Sequence, residues 1–185
     1  MSWFRWLPTL LGFPLGGLLA IHTAGSVGGP VSGALAGLVA GAVLGVVQWL
    51  ALRGLGIGLV WVLATAVGTS VGAALAAALT GGAHSVGALV LGGLVTGAFV
   101  GAAQAVAWRP GRRAAAIWAA TVSLSWALGW LVTANVIVDA ERGYVLFGSS
   151  GALLVTVLTG AVLHRLAATG AAAGSGAANQ LATQR

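Results

Sequence analysis

The sequence predicts an all-α fold: a polytopic membrane helical bundle of six transmembrane helices, arranged as three tandem parallel hairpin repeats. Three observations predict it. The chain is 59% apolar and 5% charged, with a mean hydropathy of +1.03, where a soluble domain carries about 25% charged residues. Six stretches reach or approach the ~20 apolar residues that a spanning helix needs. Finally, Arg53, Arg109 and Arg165 each close an apolar stretch, and each step between them is 56 residues. Trp6, Trp61 and Trp118 open the same units, and Gly17, Gly72 and Gly129 follow eleven residues after each tryptophan. A fixed step of this kind marks one supersecondary unit used repeatedly. A repeat with an even number of spans keeps its orientation, so the three hairpins are related about an axis along the membrane normal.

The first span, near 6–21, is the shortest and holds Pro14, which predicts a kink. Arg5, an apolar run and small residues around 23–26 also fit a signal peptide. The Trp6/Gly17 pair matches the other two units, so this segment is read as a span. The second span, 30–52, carries a ladder of Gly33, Gly37, Gly41 and Gly45. A turn at 53–56 leads to the third, 57–79, with Gly68 and Gly72. The fourth, 86–108, carries Gly93, Gly97 and Gly101. The turn at 109–115 holds Pro110 and Gly111. The fifth and sixth spans fall near 116–138 and 144–166. Residues 1–166 thus form one domain, with hairpins at about 6–53, 61–109 and 118–165. The Gly/Ala/Ser-rich tail, 167–185, is expected to be disordered and cytoplasmic.

The net charge of +6 comes from eight arginines against Asp139 and Glu141, with no lysine. The arginines are dispersed at span ends, which excludes a nucleic-acid surface and makes the charge topogenic. With six spans, Arg5, Arg53, Arg109, Arg112, Arg113, Arg165 and Arg185 fall on one side, and Arg142 falls on the other. The positive-inside rule places the larger group, and both termini, in the cytoplasm. Trp3, Trp6, Trp49, Trp61, Trp108 and Trp118 cluster at that side and are expected to be interfacial anchors. Abundant Ala, Gly and Arg without Lys suggest a GC-rich bacterial genome, hence a bacterial plasma membrane. The lipid bilayer is the expected partner, with a homo-oligomer or another membrane protein left open.

Lipid gives helices no hydrophobic reason to associate, so small residues on one stripe let backbones come close. The glycine ladders are read as packing surfaces, with a glycine-lined pore or ligand slot as the alternative. On this reading Gly41→Leu is disruptive and Gly41→Ala mild. Gln48 and Gln104 each lie three residues after a ladder glycine and five before a boundary arginine. They therefore sit at one depth, each able to offer the other a partner. The matching position of the third unit is Gly160, so a ring of three amides is not formed.

No catalytic, cofactor or metal site is expected. The absence of cysteine excludes disulfides and thiolate chemistry. His22, His84, Asp139 and Glu141 fall in outer turns of different hairpins, without metal-ligand spacing. No nucleotide, hydrolase or metalloprotease motif is present. Away from span ends, no charged residue lies in the spans, and such residues mark ion paths and proton relays.

GAVLGVVQWLALR, residues 41–53, and GAFVGAAQAVAWR, residues 97–109, resemble the repeated GxxxGxxQWLxLR element of small glycine-rich multispan proteins of bacterial genomes. Ala105 stands where that pattern has Trp. The resemblance implies a multispan membrane protein and brings no activity with it. The function expected is a non-catalytic structural or accessory membrane module. The alternative is a passive channel or permease for a small solute along the pseudo-threefold axis, lined by Gln48 and Gln104. A continuous polar cavity on that axis would favour the second.

Overall fold

The computed structural model describes residues 3–136 and 148–183, and every regular element among them is helical. Two short 3-10 helices, Trp3–Arg5 and Leu7–Leu11, precede six α-helices. These are α1 (Gly12–Ala24), α2 (Pro30–Leu52), α3 (Val60–Thr80), α4 (Val86–Trp108), α5 (Arg112–Val136) and α6 (Ser149–Thr183). Six spans within them are long and apolar enough to cross a membrane, the first being Leu7–Ala24 and the last Ser149–Thr169.

Helices adjacent in sequence are adjacent in space. Each packs on the one before and the one after, and α6 closes on the Leu7–Leu11 segment and the side of α1. The described helices thus form a ring. Large side chains such as Leu63 and Val106 face outward and are exposed, whereas the inner surfaces are rich in glycine and alanine. That inversion suits a lipid solvent, in which Leu gains nothing by being inside and small residues gain close contact.

The first span changes helix type close to Pro14. The chain runs as 3-10 helix over Leu7–Leu11 and turns to α-helix at Gly12, so Pro14 occupies the first α turn. The 3-10 segment also rises about 2 Å per residue rather than 1.5 Å, so this 18-residue span reaches ~30 Å despite its shortness. At the other end of the chain, α6 continues to Thr183, through residues whose composition pointed to irregular chain. The alanines of that segment are the strongest helix formers and carry the helix past Leu166.

Turn chemistry sets the helix ends. Pro30 opens α2 behind Gly29, and the Ser32 hydroxyl accepts the Gly29 N–H at 3.1 Å. The Ser85 side chain accepts the Ala88 N–H at the start of α4. Gly81 ends α3 in the left-handed region at φ 61°. Arg109 ends α4 at φ 55° and is the one non-glycine residue with positive φ among those described. The described arginines gather at one end of the ring, where the Arg5 guanidinium lies against Gly54.

The glycines sit where backbones meet. An added Cβ on Gly37 would lie 2.6 Å from the Thr69 carbonyl oxygen, and one on Gly33 would lie 2.8 Å from that of Ala73. Gly97 and Gly101 of α4 face the Ser123 and Ala119 Cα atoms of α5 at 2.8 and 2.7 Å in the same construction. Gly93 faces the Trp126 carbonyl and the Trp130 ring. Gly45 meets Val62, while Gly68 and Gly72 of α3 meet Val100 and Thr96 of α4. The α2 and α4 glycines therefore join one expected hairpin to the next, and those of α3 join the two helices of one hairpin. In the first unit Gly16, one residue before Gly17, faces α2 at the Ala40 carbonyl. The mildness expected for Gly41→Ala is corrected. A Cβ there would fall 2.6 Å from Thr69 Oγ1 and 2.8 Å from the Thr65 carbonyl oxygen, and the carbonyl belongs to a backbone that cannot rotate away.

Candidate functional site

The interior divides into two layers. Toward the arginine end lies a polar cluster, built from the positions that recur along the sequence. Trp6, Trp61 and Trp118 are 1%, 0% and 1% exposed. They are core residues, which corrects their expected role as interfacial anchors. The cause is the indole N–H, which each tryptophan commits to an acceptor inside the ring. Trp61 Nε1 donates to Gln48 Oε1 at 3.0 Å, and Trp118 Nε1 donates to Gln104 Oε1 at 3.1 Å. Trp6 Nε1 donates to the Thr156 carbonyl at 3.1 Å and to Thr159 Oγ1 at 3.3 Å, both on α6. Trp49 and Trp108 are partly buried against this core, and Trp49 Nε1 donates to the Ile57 carbonyl. The side chain of Trp3 lies outside the described residues.

Gln104 Nε2 donates to Gln48 Oε1 at 2.9 Å and to Thr65 Oγ1 at 2.9 Å. The Thr65 hydroxyl in turn donates to the Trp61 carbonyl. The orientation of both amides follows from chemistry. An indole N–H only donates, so each glutamine must turn its oxygen to a tryptophan, which leaves the Gln104 nitrogen facing the Gln48 oxygen. An amide buried without partners in an apolar medium costs several kcal/mol, roughly 4 or more in alkane-like surroundings. Here the Gln104 amide, the Gln48 oxygen, two indoles and one hydroxyl satisfy one another. Ring contacts reinforce the cluster, with Trp61 and Trp118 centroids 6.1 Å apart and Trp108 edge-on to Trp118. In the third unit Thr159 takes the acceptor role beside Gly160.

Toward the opposite end the ring encloses a cavity of about 350 Å³, walled mainly by glycine and alanine of α1 to α4 and reaching the loop residues Ser26 and His84. On α3 it runs from Thr80 to Thr69, about 16 Å at the helical rise. Phe13 and Trp126, in edge-to-face contact with centroids 5.6 Å apart, form its floor. Beyond them, a hole of about 10 Å³ adjoins Gln48 and Gln104. That is at the lower limit for one water molecule. Phe13 and Trp126 border both this hole and the cavity.

The other polar residues are dispersed. Among the described residues there is no cluster that would hold a metal ion. His22 is exposed and bonds the Leu18 carbonyl through Nδ1, while His84 stands at the cavity mouth. Asp139, Glu141 and Arg142 lie outside the described residues. Asn135 bonds locally to the Leu131 carbonyl, and Thr65, Thr69 and Thr121 bond the carbonyl four residues back. Ser70 and Ser123 instead bond across helices, to the carbonyls of Ala34 and Leu94. Sequence reasoning gave a slot along the glycine ladder only as the alternative to packing, and it missed the tryptophan–glutamine pairs. Those pairs had a signal, since Trp61 and Trp118 follow their glutamines by 13 and 14 residues. Compared with protein-family models, curated proteins and solved structures, the chain finds no match.

Proposed function

We propose that this chain is a multi-pass protein of a bacterial plasma membrane that acts as a non-catalytic structural or accessory module, its helices held by glycine stripes. The observation that carries the reading is the closed centre. Gln48 and Gln104, the two amides a channel would line its path with, are committed to each other and to Trp61, Trp118 and Thr65. A permeating solute would have to break that cluster and part Phe13 from Trp126. The dispersal of titratable groups among the described residues supports a non-catalytic role.

The gathering of arginines at one end supports that end being cytoplasmic, with both termini inside. The tandem-repeat reading is supported by the way the three tryptophans bond. Trp61 and Trp118 each reach the second helix of the preceding hairpin, and Trp6 reaches that of the third. This is the contact pattern a closed ring of three like units produces. The sequence element at 41–53 and 97–109 further supports membership of the glycine-rich multispan proteins it resembles.

Liposome flux tests the function. Purified protein reconstituted at defined density is expected to pass water, ions and small neutral solutes no faster than empty liposomes. Flux above that background, lowered in a Gln48→Leu/Gln104→Leu variant, would establish the passive channel or permease instead.

A further inference from the structure

The cavity has a property that packing alone does not explain. Thr96 of α4 borders it and is 7% exposed, yet its hydroxyl has no hydrogen-bond partner among the described residues. Nor is that hydroxyl sealed in protein, as those of Thr133, Ser150 and Thr156 are. The cavity is the space Thr96 borders, and the hydroxyl is assigned to it. Thr96 is the deepest α4 residue of the wall, close to the Phe13–Trp126 floor. The other deep threonine, Thr69, donates to the Thr65 carbonyl at 2.7 Å. Thr96 thus offers the free hydroxyl at the bottom of an apolar shaft.

We propose that this cavity binds one neutral, mainly aliphatic molecule whose hydroxyl or carbonyl oxygen hydrogen-bonds to Thr96. Charge is excluded by the walls, in which the described lining residues include no Asp, Glu, Lys or Arg. A charged group there would lose its hydration without gaining a counter-ion. The volume, the mainly apolar walls and the few deep polar groups are those of small-molecule sites, which are commonly 300–1,000 Å³ with few polar contacts. The depth of about 16 Å and the glycine–alanine walls favour an extended chain over a broad ring system. Such a molecule would come from the bilayer, as a lipid chain, or from free amphiphile.

The test is thermal unfolding of the full chain in lipid nanodiscs and in detergent micelles, titrated with 1-dodecanol and with dodecane. Dodecanol is expected to raise Tm saturably, as a ligand of the folded state does, and dodecane to raise it less. Thr96→Val keeps the shape and removes the hydroxyl. It should weaken dodecanol about tenfold and bring alcohol and alkane to equal effect. Gly92→Leu should fill the shaft and abolish both shifts. Gly92 borders the cavity, and an added Cβ would meet only the Ala76 Cβ, at an ordinary 3.7 Å. A shift in micelles that disappears in nanodiscs would support the site and assign its occupant to bilayer lipid. No shift of wild type in either medium, an equal shift in Gly92→Leu, or an unchanged alcohol preference in Thr96→Val would overturn the proposal.

Discussion

The side-chain nitrogen of Gln104 lies 2.9 Å from the side-chain oxygen of Gln48, across 56 residues of chain. That oxygen also accepts from Trp61, and the Gln104 oxygen accepts from Trp118. The two amides therefore form the centre of one network and not two independent bonds. Gln48→Leu strips the acceptor from Trp61 and from Gln104, and Gln104→Leu strips it from Trp118. Each single change should cost about 1–3 kcal/mol, because buried donors are left unmade. The double variant should cost clearly less than the sum, since the partners disappear together. Reversible unfolding in mixed micelles measures the cycle, and additivity would show that the amides are not coupled.

The three buried tryptophans make a second prediction. Trp6→Phe keeps most of the ring volume but removes the donor to the Thr156 carbonyl and Thr159. A loss of about 1 kcal/mol is expected, the ordinary net worth of one buried hydrogen bond. Location is checked separately by single-tryptophan variants in bilayers containing brominated lipid. Emission from Trp6, Trp61 or Trp118 alone should resist quenching. Quenching as strong as that of an exposed membrane tryptophan would return them to the lipid interface.

Backbone contact at the glycine stripes predicts an unusual sensitivity to a single methyl group. Gly37→Ala would place its Cβ against the Thr69 carbonyl, which is backbone on both sides of the contact. Either α2 and α3 separate or a hydrogen-bonded turn distorts, and a cost of roughly 1–3 kcal/mol follows from overpacking. Gly87→Ala is the control. Nothing lies within 4 Å of an added Cβ there, and the position is helical. It should stabilise by up to about 1 kcal/mol, since alanine is the better helix former. Equal Tm values for the two variants would remove the structural role of the stripe.

Six apolar runs separated by arginine- or glycine-bearing turns were legible in the sequence because lipid leaves the backbone one local solution, the helix. Helix ends were legible where Pro30, Ser85 and Gly81 act by local chemistry. The setting of Pro14 was legible only in part. Its role depends on the 3-10 turn before it, which no periodicity announces. Trp6, Trp61 and Trp118 were placed at the arginine end, where they lie, but on the wrong side of the helix. Depth follows from distance to the nearest arginine, whereas facing depends on whether an acceptor waits inside. The cavity was legible only as the alternative reading of the glycine ladder. Gly33, Gly37 and Gly41 border it while pressing on α3, so the same residues read as close packing and as a wall.

Orientation rests on charge, and the chain's lack of cysteine makes it directly measurable. Gly28 precedes α2 at the end opposite the arginines, and Gly58 precedes α3 at the arginine end. An added side chain meets nothing within 4 Å at either position, and neither needs a positive φ, so cysteine should be tolerated at both. A membrane-impermeant maleimide applied to intact bacterial cells expressing the protein should label Gly28→Cys and leave Gly58→Cys unlabelled, and permeabilisation should expose the second. The reverse pattern would place the arginines outside, against the positive-inside rule. Labelling of both from one side would mean that α2 does not cross the bilayer.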